Sequence, residues 1–341
     1  MDVQTIQIAG FAAGVVLGFA GLRTNFCVMG AVTDIALMRD WRRFRAWLLA
    51  IAVALATTET LVLAGLAHVE ASAPAAPSFG WLAAAVGGLG FGFGMVLAGG
   101  CGQRNLVRLG AGSVKALVVV VVMAGFAHLA ISGALAPARL WLMAAANPLP
   151  VLGVASQDLS VLLTPPGEPA AGVRTALAYG AALLLAWLCV KDATFRASAR
   201  DVAAGVVIGI LVAFGWAMTA GSDAPESLNF AVPLGDAAAL ALGEGGRAGF
   251  ALMAVPGVVL GAFLAVAWPW RLRLALFADA RDAAHTVAGA ALMGLGGAMA
   301  LGCTIGQGIT GVSTLAAASI ITWAAIVGGA LLGVRYLQAA T

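Results

Sequence analysis

Charge is scarce in this chain. Only 10% of its 341 residues are Asp, Glu, Lys or Arg, where a soluble domain carries about 25%. That deficit excludes a soluble globular fold, because no segment has enough polar residues to coat a core. Histidine is nearly missing too: His68, His128 and His285 lie far apart. They offer no imidazole cluster for a metal, and each reads as a satisfied polar residue. Cysteine is limited to Cys27, Cys101, Cys189 and Cys303, with no Cys-x-x-Cys pair. Neither a thioredoxin-like redox centre nor a zinc ribbon is indicated. No cofactor motif is visible, no Met-rich metal relay accompanies the thiols, and no basic run forms a nucleic-acid-binding patch.

Apolar sequence fills the chain instead, at 62% hydrophobic residues and a mean hydropathy of +1.01. Runs of about 20 residues recur from end to end, the length that crosses a hydrocarbon core of about 30 Å. They predict an all-α integral membrane protein of about nine transmembrane helices, near residues 4–22, 46–66, 81–98, 114–135, 173–190, 202–219, 250–268, 284–301 and 314–335. The first run has no basic residue ahead of it and no small-residue cleavage site, so it reads as a retained helix rather than a signal peptide. Glycine is abundant, and Gly10, Gly14 and Gly18, like Gly205 and Gly209, follow the small-xxx-small spacing of closely packed membrane helices.

The basic residues set an expected orientation. A periplasmic N-terminus and cytoplasmic C-terminus in a bacterial inner membrane leave Arg139, Arg174 and Arg247 outside. Every other Lys and Arg, including the cluster from Arg39 to Arg45, then falls inside.

The halves resemble each other. Gly87–Gly125 and Gly289–Gly329 each read as a Gly-rich span, a Gly-Cys break followed by a Gln, then a β-branched and Ala-rich span. Gly14-Val-Val-Leu-Gly18 likewise matches Gly205-Val-Val-Ile-Gly209. A duplication of four spans each follows, over residues 1–135 and 201–341 of one membrane domain. An outer loop and a fifth linking span occupy 136–200, and the odd span inverts the second copy. The Pro-rich stretch from Pro137 to Gly172 and the stretch Ser222–Arg247 are expected to be outer connections without a chemical motif.

The chemistry concentrates where spans are interrupted, at Asn25-Phe26-Cys27, Gly99-Gly100-Cys101-Gly102-Gln103 and Gly302-Cys303-Thr304-Ile305-Gly306-Gln307-Gly308. Non-helical backbone at membrane depth is tolerated only where it is buried in protein or lines a cavity. Paired breaks in two halves point to a transport site. A protonated thiol is a weak donor with a polarisable sulfur, suited to a soft anion. A thiolate would suit Cu(I). Helix N-termini at the breaks favour anions, so Cys27, Cys101 and Cys303 are expected to line the pore, whereas Cys189 reads as an inert core thiol. Gly100 and Gly302 belong to the breaks, and Gln103 and Gln307 either offer amide donors to oxygens or hold the broken backbone. Asn25 and Thr304 are expected caps of short helices. Arg23 and Arg104 either draw anions to the inner mouth or merely signal orientation. Asp34 is expected to pair with the Arg39–Arg45 cluster. Glu59 is an intramembrane acid that Thr57, Thr58 and Thr60 would satisfy in its protonated form.

These elements together resemble the YeeE/YedE family of sulfur-transport membrane proteins over nearly the whole chain. The resemblance implies an hourglass-shaped permease for thiosulfate, its waist lined by the cysteines matching here as Cys27, Cys101 and Cys303. It also implies delivery to a separate sulfur-carrier protein of the TusA type on the cytoplasmic side. Members linked to selenium metabolism leave a selenium-containing ion as an alternative substrate, and a membrane thiol sulfurtransferase is the alternative activity. Enzymatic function is not expected, nor is any cofactor.

Overall fold

A computed structural model describes residues 2–76, 79–152, 154, 156–165, 168–245, 248–267 and 275–339. Arg247, Arg271 and Arg273, part of the orientation argument, lie outside the described residues. The described chain is helical: α1 Val3–Thr24, α2 Val28–Met38, α3 Arg42–Leu63, α4 Trp81–Leu97, α5 Gly102–Gly110, α6 Val114–Ile131, α7 Ala136–Ala145, α8 Leu149–Leu152, α9 Leu159–Leu163, α10 Ala171–Val190, α11 Ala193–Arg196, α12 Ala199–Thr219, α13 Val232–Ala241, α14 Phe250–Ala267, α15 Ala280–Met299 and α16 Ala317–Ala339. Between α15 and α16, residues 304–314 form a short helix whose middle, Gly306–Gly311, is π-helical.

Among the described residues, eight segments are long and apolar enough to cross a membrane. The ninth expected span, α15, has 20 residues but begins with Arg281, Asp282 and His285, which make it less apolar. It still packs within the bundle, against α4 and α6. The connection from Pro137 contains three short helices, and the stretch after Ser222 contains α13. Both were expected to be loops, because a helix of ten residues or fewer leaves little periodicity to read.

Helix order repeats. The series α1, α2, α3, α4, α5, α6 is followed after α10 by α12, α13, α14, α15, the 304–314 helix and α16. The packing repeats with it. α1 lies on α14 as α12 lies on α3, α4 on α16 as α15 on α6, and α2 on α16 as α13 on α6. At the crossing of α4 with α15, a Cβ on Gly87 would stand 2.7 Å from the Gly296 carbonyl and one on Gly296 2.5 Å from the Gly87 carbonyl. Gly94 and Gly289 meet in the same reciprocal way, at 2.6 and 2.5 Å. Apolar burial drives little helix association in a bilayer, so backbones close enough to exclude a methyl group supply the packing instead. Gly10, Gly14 and Gly18 do this against α14, where added Cβ atoms would fall within 2.3 Å of Phe250, Ala254 and Val258 carbonyls.

One end of the bundle is strongly basic. The ends of α1 and α10 and the starts of α3, α6, α12 and α15 meet there, tied by Arg43–Asp34 at 2.7 Å, Arg45–Asp192 at 3.1 Å and Lys115–Asp282 at 2.5 Å. The Asp34 pairing is the one expected. At the other end Gln7 donates to the Ala248 carbonyl at 2.8 Å and His128 meets Glu244 at 3.2 Å.

Candidate functional site, a buried thiol centre at three helix breaks

Each break is built by the same local device. Two residues before each cysteine the backbone turns left-handed, at Asn25 (φ 58°), Gly99 (φ 72°) and Leu301 (φ 55°). Gly99 adopts this without steric cost, whereas Leu301 is a strained exception. After α4 the amide of Gly100 reaches the Met95 carbonyl at 2.8 Å, and after α15 the amide of Gly302 reaches the Gly297 carbonyl at 2.8 Å. These are the long bonds of a Schellman ending, which satisfies terminal carbonyls while turning the chain. Side chains fold over Gly100 and Gly302: a Cβ would stand 3.0 Å from Arg104 Cγ and 2.9 Å from Gln307 Cγ, respectively, so a larger residue would have to push them aside.

The cysteine then stands at the head of the next short helix. Cys27 caps α2 and Cys101 caps α5, both in extended backbone. Cys303 heads the 304–314 helix, where its sulfur accepts from the Gly306 amide at 3.4 Å. At the heads of α2 and α5 the Gly30 and Arg104 amides lie near the Cys27 and Cys101 sulfurs without making a regular cap hydrogen bond. The thiols thus lie where unpaired N–H groups and the positive end of the helix dipole converge.

Tertiary packing brings the breaks together. The Cys27 and Cys101 side chains become neighbours, and Thr304 comes near the Cys101 sulfur without a regular hydrogen bond. The Phe230 backbone interacts with the Cys303 sulfur. Phe26 stacks on Trp47 of α3 at 4.7 Å between centroids, holding the Cys27 turn, and Trp216 of α12 donates to Ser313 at 3.1 Å, holding the opposite break. The thiols are sealed: Cys27 is 3% exposed, and Cys101 and Cys303 are 0% exposed. All four cysteines are free.

Cavities approach this centre from both ends. One of about 260 Å³ at the basic end is lined by Thr24, Asn25, Asp34, Arg43, Arg200 and Asp201 among others. Another, of about 160 Å³ on the opposite side, reaches Asn229, Leu301, Gly306 and Thr310 beside Cys303.

Several expected roles change. Asn25 is not an N-cap: it ends α1 in left-handed backbone, and its side-chain oxygen accepts a short hydrogen bond from Arg104. Thr304 caps nothing, and its buried hydroxyl makes no regular hydrogen bond. Gln103 and Gln307 are not equivalent. Gln307, four residues after Cys303, donates to the Ala300 carbonyl at 2.6 Å and accepts from Ser319 at 2.5 Å. Its counterpart four residues after Cys101 is Asn105, which bonds the Gly100 and Cys101 carbonyls at 2.7 and 3.1 Å. Both amides hold broken backbone. Gln103 is fully buried beside Gly21 with neither amide atom bonded. Counting the offset from each cysteine, rather than seeking the same amide, would have found Asn105.

Glu59 is satisfied from another helix. Arg174 of α10 donates to it at 3.0 Å and Thr175 at 2.8 Å, while Arg174 also grips Asp158. Thr57 and Thr60 bond carbonyls of their own helix instead. Cys189 donates to the Arg45 carbonyl at 3.2 Å, a packing role as expected.

Comparison with known proteins agrees with this layout. The chain is 26% identical to the thiosulfate transporter TsuA of Escherichia coli strain K12, over 94% of this chain and 90% of that protein. It is also 26% identical to the thiosulfate transporter TsuA of Spirochaeta thermophila, over 93% of each. A family model described as sulphur transport matches residues 23–332, from the last turn of α1 into the second half of α16. The thiol-centred helix breaks and this near-complete match lead to one conclusion: the chain belongs to the sulphur-transport family.

Proposed function

We propose that this protein is a bacterial inner-membrane permease for thiosulfate or a related sulfur anion, which moves from Cys303 to Cys101 to Cys27. The reading places the basic end in the cytoplasm, in keeping with the positive-inside rule, with the N-terminus periplasmic and the C-terminus cytoplasmic. The two halves are read as inverted repeats, residues 1–135 and 201–341, flanking 136–200. A separate TusA-like sulfur carrier receives the ion at the basic end.

The observation that carries the reading is the burial of all three thiols at a meeting point of helix N-termini, where Cys27 and Cys101 are neighbours and Thr304 lies near Cys101. A dianion entering this dry centre loses its hydration, a cost of several kcal/mol or more. Each helix N-terminus returns roughly half a positive charge. Neutral S–H groups add donors for a sulfur atom without adding negative charge. Thr304 offers one further unspent hydroxyl. Gln103, with both amide atoms free, is a reserve of donors in the first turn of α5. Gly100 and Gly302 serve the backbone, as do Gln307 and Asn105.

Proteoliposomes carrying the parent protein should accumulate labelled thiosulfate. Cys101→Ala and Cys303→Ala should each reduce the rate at least ~100-fold, the change expected from ~2.7 kcal/mol of barrier. Full transport by both variants would end the proposal. Competition by selenium oxyanions would identify the alternative substrate. The alternative, a sulfurtransferase, predicts that the thiolate of Cys101 or Cys303 attacks the outer sulfur of thiosulfate, breaking its S–S bond and releasing sulfite, to leave a persulfide that alkylation traps during turnover.

A further inference from the structure

The two ends of the thiol chain are built differently, and the difference centres on one arginine. Three residues after Cys101 stands Arg104, and three after Cys303 stands Gly306. Asn25-Phe26-Cys27 before α2 corresponds to Asn229-Phe230-Ala231 before α13. In the first half Asn25 holds Arg104. In the second half Asn229 packs on bare Gly306, where a Cβ would lie 2.6 Å from its side chain. Asn229 accepts instead from the Ala231 amide at 3.1 Å and donates to the Leu301 carbonyl at 3.3 Å. The cavity of about 160 Å³ is lined by Asn229 and Gly306, whereas Asn25, which lines the cavity of about 260 Å³ two residues before Cys27, is held by Arg104.

Arg104 is also electrostatically unfinished. Arg42, Arg43, Arg45 and Arg174 each have a carboxylate partner. Among the described residues no carboxylate pairs with Arg104, and its buried Nη1 makes no hydrogen bond. Cys27 and Cys101 are among its near neighbours, together with the cationic Arg108 and Arg43.

Resting on the relay proposed above, we infer that Arg104 binds the oxygen-bearing end of the anion beside Cys27 and Cys101, and that the Asn25–Arg104 bond is a latch the anion releases. A guanidinium fork matches the oxygens of a sulfonate-like group, while the two thiols face the terminal sulfur. An anion with one hard and one soft end is thereby held at both. Charge-assisted bonds are roughly twice as strong as neutral ones, so the anion displaces the Asn25 amide from Arg104. Asn25 then swings toward the cavity it lines, and the route to the basic end opens only when cargo is present.

The test uses the full chain in proteoliposomes, with labelled thiosulfate uptake and labelling of Cys27 by a membrane-impermeant maleimide applied from the basic end, read by peptide mass spectrometry. Arg104→Gln should raise the KM for thiosulfate at least tenfold, and Arg104→Lys should recover part of that loss. Thiosulfate should accelerate Cys27 labelling in the parent. Asn25→Ala should give rapid labelling without thiosulfate, at least fivefold above the parent. An unchanged KM in Arg104→Gln, or Cys27 labelling indifferent to thiosulfate in a parent whose transport needs Cys101, overturns the latch alone. Absence of thiosulfate uptake in the parent, or full uptake by Cys101→Ala, overturns the relay as well.

Discussion

The break at Cys101 and the break at Cys303 share a backbone and differ in side chains. Both follow a left-handed residue and a Schellman ending, and both put a thiol at the head of a short helix. Around that shared frame the first half adds Cys27 and Arg104 where the second has Ala231 and Gly306. The lesson is that a repeated helix break builds two approaches to one centre, while a few side chains make the approaches unequal. In the proposed relay, a bare approach on one side and a charged, latched one on the other would give a direction to a scaffold whose helix packing repeats.

The comparison can be broken first at the element outside it. α10 has no counterpart in either half, and its Arg174 joins Glu59 of α3 to Asp158 of the long connection. That connection in turn bonds the start of α16, through Leu159 to the Leu315 carbonyl and Ala317 to the Gln157 carbonyl, both at 3.0 Å. Arg174→Leu leaves two buried carboxylates unpaired and should cost about 3–5 kcal/mol, seen as a large fall in melting temperature in detergent. A melting temperature equal to the parent would show that the linker is not anchored this way.

The glycine crossing offers a symmetric test. Gly94→Ala and Gly296→Ala push a methyl into equivalent backbone carbonyls and should destabilise alike, by about 1–3 kcal/mol each. Gly90→Ala on the same helix, with open space at its Cβ, should be tolerated. Markedly unequal costs at Gly94 and Gly296 would sink the two-fold reading of that crossing.

Gly306→Arg sharpens the asymmetry directly by copying Arg104 into the second half beside Asn229. Uptake should slow several-fold because the bare approach acquires a latch, and a rate unchanged from the parent would argue that Gly306 does not border the route. The smallest effect is expected at the basic end. Arg42 binds the Asp40 side chain, at 2.7 Å at the closest, and holds its carboxyl below the usual carboxylate range. That contribution is complete above the unfolded value of about 4 and is lost as pH falls through the lower folded value. Asp40→Asn should therefore remove a stability difference of less than about 1 kcal/mol between pH 6 and pH 3. A parent and variant with the same separation at both pH values would refute the assignment.

Much of this architecture was legible in the residues. Apolar runs and glycine spacing located the long helices, because crossing a bilayer demands a minimum length and close helix approach demands small side chains. Cys27, Cys101 and Cys303 stood out because each interrupts such a run. Short α13 was missed, being too brief for periodicity to register, and Gln103 was matched to Gln307 because the same amide follows both cysteines. The partner of Glu59 was sought among its neighbours in sequence and found on α10, more than a hundred residues away.

By itself, then, the order of amino acids determined the membrane class, the spans and the points where they fail, since these depend on local hydrogen bonding and local hydropathy. Only the tertiary structure decided that Cys27 meets Cys101, that Asn25 holds Arg104, and that Asn105 rather than Gln103 mirrors Gln307. Those pairings join distant segments, and their geometry follows from how the helices cross rather than from any residue's immediate neighbours.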